Sequence, residues 1–169
     1  MLPKSLKNFN AFVDGEGYAA RVDEFVLPKL ARKMEELRAG GMNAPIDIDM
    51  GMEKLEAEFT LHEVSRAILN QFGLWDVAGV GMRFRGAYQA DDSSCTTDAV
   101  EVVMRGRFKE IDMGTAKAGD ETKMKVSGGL TYFKYIVNDE TVIEIDVLNM
   151  IEMVNGQDRL KKQRDALGL

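Results

Sequence analysis

Apolar and polar residues alternate with a period of two through most of this chain, the pattern of strands with one buried and one wet face. In MEKLEAEFTL, Leu55, Ala57, Phe59 and Leu61 fall on one side and Lys54, Glu56, Glu58 and Thr60 on the other. The runs GMRFRGAYQ and VEVVMRGRFKEID repeat the pattern, with Met82, Phe84 and Tyr88 against Arg83, Arg85 and Gln89, and Val102, Met104 and Phe108 against Glu101, Arg105, Arg107 and Lys109. KMKVSGGLTYFKYIV predicts a long strand bent or bulged at Gly128-Gly129, and TVIEIDV its hairpin partner across Asn138-Asp139. Asp14-Gly15 turns a hairpin within Phe12 to Val22, and Asn155-Gly156 another turn near the end. FVLPKLARKMEEL, from Phe25 to Leu37, predicts a strand in which Pro28 must lie near the start, at an edge or at a bulge.

Two segments break the alternation. Thr60 and Glu63 have capping-box spacing, and Val64, Ile68 and Phe72 lie one helical turn apart, so the pattern predicts a helix over about 60–72 ended by Gly73. Leu160, Arg164 and Leu167 predict a second, C-terminal helical segment. The fold class is mainly β, one domain over residues 1–169. Between strands lies AGGMNAPIDIDMG, too long for a tight turn and too apolar for an idle loop.

Composition narrows the function. The chain has 169 residues and a net charge of −6, which argues against a grip on nucleic acid, since phosphate binding needs a basic face. Cys95 and His62 are the only residues of their kinds, so there is no intrachain disulfide and no Cys/His metal cluster; His62 reads as a surface residue. No apolar run reaches the roughly 20 residues of a membrane helix, and MLPKSLKNFNAFVDG lacks the apolar core of a signal peptide, so synthesis in a cytoplasm is expected. Asp47-Ile-Asp49-Met-Gly51, with Glu58 twelfth, lacks the Gly and further ligands of a calcium loop. Arg83, Arg85, Arg105, Arg107 and Lys109 form a basic stripe that solvation and ion pairing explain. No catalytic constellation or cofactor site is present. Long strands without chemistry suggest a building block, because exposed edges must be paired or covered.

LPKLARKMEELRAGGMNAPIDIDMG, VVMRGRFKEID, GLTYFKY and EIDVLNMIEMVNGQDRLKKQRDALGL resemble the major tail tube protein of contractile-tailed phages, in the group of small temperate myophages that includes the tubes of R-type bacteriocins. The resemblance spans essentially the whole chain and implies a β-barrel or sandwich with a flanking helix. It further implies six copies to a ring and rings stacked into a hollow tube. That tube would carry DNA in a phage virion tail or ions in a bacteriocin particle. Implied partners are further copies, the tail sheath protein, baseplate and tail terminator proteins, and the tape measure protein and DNA in the lumen without specific binding; no membrane is implied. Residues 38–51 would form a projecting loop between subunits and rings, with Arg38, Gly40, Gly41, Met42, Asn43, Pro45 and Met50 at the contacts. Candidate lumen-facing residues are Lys54, Glu56, Glu58 and Thr60 on one strand, and Lys123, Lys125, Ser127 and Thr131 on another. A nucleic-acid or ligand-binding β-barrel module is the alternative.

Overall fold

The structure, a computed structural model, describes residues 2–169. The chain opens with β1 (Lys4–Val13), the short β2 (Glu16–Gly17) and β3 (Val22–Val26). The hairpin strands β4 (Arg32–Leu37) and β5 (Ile46–Met52) follow, then β6 (Glu56–Leu61) and helix α1 (Arg66–Leu69). Next come the long strands β7 (Val80–Ala90), β8 (Thr97–Asp112) and β9 (Met124–Val137). The chain ends in β10 (Glu140–Asp146), β11 (Ile151–Val154), β12 (Gln157–Asp158) and helix α2 (Lys161–Leu167).

Every pairing is antiparallel, and the architecture follows from how β9 is shared. Along one edge β9 pairs with β8 over most of its length. Along the other, Met124–Gly129 takes β6 and Tyr132–Val137 takes β10. One sheet thus divides into two layers. A long sheet runs β12-β11-β10-β9-β8-β7-β1-β2, and a short sheet is built from β3, β6, the first half of β9 and the last part of β8.

The division lies at the predicted Gly128-Gly129, where the β8–β9 register shifts twice, at Arg105/Gly106 and Phe108/Glu110. The backbones approach so closely there that a Cβ on Gly106 would stand 2.0 Å from the Gly129 carbonyl oxygen. Only glycine fits such an approach. Phe25 and Phe59 of the short sheet stack at 5.6 Å, and Phe25 meets Phe84 of the long sheet at 5.7 Å. Alternation therefore places Ala57, Phe59, Leu61, Met82, Phe84, Val102 and Met104 in one core between the layers. The layers form a sandwich-like fold and do not close into a barrel.

Three predicted turns are present. Asp14-Gly15, Asn138-Asp139 and Asn155-Gly156 all have positive φ at both residues, as two-residue type I′ hairpins require.

The structure corrects other expectations. Thr60 and Leu61 stay in β6, because Thr60 pairs with Glu24 and Lys125 and Leu61 is buried. The capping box therefore cannot form, and the helix expected over 60–72 shrinks to Arg66–Leu69. Ser65 occupies its N-cap without a side-chain cap bond, its hydroxyl lying 3.1 Å from the buried Tyr18 hydroxyl instead. Ile68 is fully buried, whereas Val64 and Phe72 are exposed, so no apolar stripe faces the core. The strand expected from Phe25 to Leu37 is interrupted over 27–31, around Pro28, and its halves join different sheets. The C-terminal helix is present, yet Leu167 is exposed and Arg164 bonds Asp158 and the Met150 carbonyl.

Candidate functional site

The segment expected as a loop over 38–51 is a loop over 38–45 and strand over 46–51: β4 and β5 form a two-stranded sheet of their own, and 38–45 connects them. Arg38, Gly40, Gly41, Met42, Asn43 and Pro45 sit in this tip, while Met50 lies in β5. Gly41 has φ +87 and open space around it, so it serves the turn's backbone conformation rather than a close approach. The Met42 sulfur accepts a bond from the Ala39 N–H at 3.3 Å.

The register Glu35↔Ile48, Glu36↔Asp47 and Leu37↔Ile46 sorts the hairpin into two faces. One face carries Leu37, Ile46, Ile48 and Met50, all exposed, with Glu35 beside Ile48. The opposite face carries Met34, Glu36, Asp47 and Asp49. A lone two-stranded hairpin is marginal in water, and here neither face is covered by the rest of the chain. Its base is nevertheless fixed. Arg32 on β4 donates from Nη1 to both carboxylate oxygens of Glu152 on β11 at 3.0 Å, and from Nε to Asp49. Glu152 is buried. These bonds raise the Arg32 pKa, chiefly through Asp49 and then Glu152, so the guanidinium stays charged.

The second surface is the outer face of the short sheet, which gathers most of the other candidates. Glu58 pairs in register with Ser127 and Thr60 with Lys125, and all four side chains point away from the core. Glu56 accepts from Lys54 and Lys109, each at 2.8 Å; Lys125 reaches Glu58 at 2.9 Å. Lys123 lies just ahead of β9 and bonds Asp23 at 2.9 Å. Thr131 lies beyond the division and donates to the Arg105 carbonyl oxygen at 3.4 Å. Hydrogen bonds from Lys109 and then Lys54 lower the Glu56 pKa from 4.5 to about 2. The same pairing holds Lys109 and Lys125 above the usual lysine value. Charges of both signs are thus interleaved, and no uncompensated basic groove crosses this face.

Both edges of the short sheet are open. β3 pairs with β6 alone, and β8 beyond Gly106 pairs with β9 alone. Successive antiparallel pairings make β3 and β8 run in opposite directions. The expected basic stripe is split by the β8 bulges: Arg83, Arg85 and Arg105 face outward from the long sheet, Arg107 and Lys109 from the short one. The calcium reading dissolves as well, since Arg32 takes Asp49 and Glu58 belongs to another sheet.

Sequence reasoning singled out the tip and Met50 and missed Leu37, Ile46, Ile48 and Met34 as an exposed set. The alternation of IDIDM carried that signal, with isoleucines to one side and aspartates to the other.

A family model described as phage tail tube protein FII matches residues 3–168. The chain belongs to this family. The tail tube protein of Escherichia phage P2 is 42% identical over 171 residues, covering 99% of each chain. The major tail tube protein of Serratia phage KSP20 is 35% identical over 158 residues, covering 92% of this chain and 90% of its own. Two cryo-EM structures of an extracellular contractile injection system contain chains of similar fold: the PVC sheath/tube terminator and the PVC sheath-tube complex, both in the extended state. Each aligns with a TM-score of 0.55 at 10% identity, over 78% of this chain and 94% and 88% of theirs, a likeness of fold alone. As a tail tube protein the chain has a structural role in a contractile phage tail, and the alternative of a nucleic-acid or ligand-binding module falls away.

Proposed function

We propose that this tail tube protein builds the hollow inner tube of the tail by forming six-membered rings that stack through the β4–β5 hairpin. The observation that carries this reading is the short sheet with two free edges of opposite direction. Rotating a copy about a ring axis preserves strand direction, so β3 of one copy meets the Arg107–Asp112 edge of the next antiparallel. Repeating that operation closes a ring and leaves no edge free, which is how such edges are made safe. Main-chain hydrogen bonds then hold neighbours together as in strand addition.

In the ring, one face of the short sheet packs on its own core and the other lines the bore. Lys54, Glu56, Glu58, Lys125 and Ser127 supply that lining, with Lys123 at its margin. Their mutual ion pairing leaves few free cations for phosphates, so DNA passes without the counterion release that would make it adhere. Residues 1–169 act as one tail tube domain, with the hairpin as its projection toward neighbouring copies. The sheath surrounds the tube, the tape measure protein occupies its lumen, and baseplate and terminator proteins cap its ends.

Negative-stain microscopy and sedimentation of the purified protein test the reading. Stacked rings of uniform diameter are expected, and their loss is expected when Gly40-Gly41 is replaced by Val-Val in a chain that still folds. A protein that stays monomeric at high concentration contradicts it.

A further inference from the structure

We infer that the acidic face of the β4–β5 hairpin docks on an arginine strip of the long sheet in another copy of this chain. Two like-charge arrangements, on separate surfaces, lead to this pairing. On the hairpin, Glu36 and Asp47 are direct cross-strand partners, and neither forms an ion pair among the described residues. Like charges set opposite each other weaken a strand pair. The neighbouring Asp49 is neutralised by Arg32, which leaves Glu36 and Asp47 as the acidic pair without a counter-charge.

The long sheet shows the converse. Arg83 and Arg85 project from the same side of β7, and both bond a single carboxylate, Glu101, at 3.1 Å. One negative charge serves two guanidiniums. Arg105 adds a third cation on that face, stacked 4.3 Å above the Tyr132 ring, and the Tyr132 hydroxyl donates to Glu144. Each surface carries an excess of one sign of charge, and bringing them together compensates both. Guanidiniums suit such a contact because they present several donors in a fixed plane to a carboxylate.

The surroundings of the strip also fit a hairpin. Beside Arg85 lies an open groove of about 640 Å³, lined in part by Asn8, Asn10, Ala99 and Ile136, with Glu101 and Asp139 as its carboxylates. The Asn10 side-chain oxygen is buried without a hydrogen-bond partner. A buried acceptor left unpaired is costly, which marks this part of the long sheet as incompletely satisfied in the single chain. The occupant is a second copy because the chain itself carries the complementary charges.

This inference rests on the stacking reading, so the experiment separates the two. The readout is the threshold concentration for sedimentable tubes at low salt, with circular dichroism to confirm folding. Glu36→Arg with Asp47→Arg should raise the threshold at least about tenfold, and Arg83→Glu with Arg85→Glu should do the same. A chain carrying all four substitutions should return close to the original threshold, because the complementarity is restored with its signs exchanged. Should the glutamate pair fail to fold beside Glu101, Arg83→Gln with Arg85→Gln replaces it. Its effect and that of Glu36→Gln with Asp47→Asn should then be non-additive when combined. Normal assembly of either reversed variant overturns the inference, as does failure of the four-fold variant to recover or full additivity of the neutral pairs. Normal assembly of a chain lacking residues 32–52 instead overturns stacking through the hairpin.

Discussion

Replacing Leu37, Ile46 and Ile48 together by serine removes most of the hairpin's apolar face while touching nothing in the core. These side chains are 46%, 51% and 38% exposed in the single chain. Full burial of a Leu or Ile is worth about 1.5–3 kcal/mol. Scaled by those exposures, covering all three contributes about 2–4 kcal/mol per hairpin. Their loss should weaken each contact by about 30- to 1000-fold in its association constant. The monomer should change little, since substitutions at exposed positions usually shift stability by about 0.5 kcal/mol or less. Sedimentation velocity across a concentration series gives the threshold for tube formation, and thermal melting monitored by circular dichroism gives the fold. The expected result is a normal melting temperature with a much higher threshold. Tubes appearing at the original concentration would refute the claim that this face is covered on assembly. A collapsed melting temperature would instead make the face part of the monomer's own stability.

Other expectations follow from the core and the short sheet. Ile68→Ala should cost about 2–5 kcal/mol, since the side chain is fully buried and leaves a cavity; an unchanged urea midpoint would remove α1 from the core. Gly106→Ala should destabilise the fold by at least about 1–3 kcal/mol, because the new Cβ meets a backbone carbonyl that cannot swing aside; equal stability would deny the close β8–β9 crossing. The Glu56 carboxyl is held at about 2 in the folded state against 4.5 ordinarily, so its stabilising pairing is complete above about pH 4.5 and vanishes as pH falls toward 2. Urea midpoints of the native chain and of Glu56→Gln should therefore differ at pH 5 and converge near pH 2, and a constant gap would contradict the pairing. Glu56→Lys with Glu58→Lys should permit tubes yet slow DNA ejection from phage particles at low salt, where attraction to phosphate is least screened; normal ejection would take these residues out of the bore.

How far the sequence disclosed this arrangement depended on whether a signal was local. The alternation of Leu55, Ala57, Phe59 and Leu61 reports one-sided burial, and it held at Leu55 and then residue by residue through β6. Asp14-Gly15, Asn138-Asp139 and Asn155-Gly156 encode backbone conformation directly, so all three turns were legible. The helix over 60–72 failed because Thr60 and Glu63 have the spacing of a cap but not its surroundings. Leu61 gains more from the core than a cap could return, since a cap is worth about 1 kcal/mol and burial of a leucine more. Likewise, nothing in FVLPKLARKMEEL said that its ends would join different sheets; that depends on β6 and β5 elsewhere in the chain. For the hairpin, the apolar and acidic residues of IDIDM were visible. That both faces lie open was not, because exposure is a property of what the remaining chain leaves uncovered. The tie of Arg32 to Glu152 joins residues 120 apart, beyond any local pattern.

In the proposed tube, free strand edges of neighbouring copies join into one continuous wall. A cryo-EM reconstruction of tubes assembled from the purified chain, at a resolution that traces the backbone, tests it most directly. Main-chain hydrogen bonds are expected between β3 (Val22–Val26) of one copy and Arg107–Asp112 of the next, antiparallel, with Glu56 and Glu58 facing the channel. A ring in which the β3 edge stays unpaired, or in which the long sheet lines the bore, would contradict it.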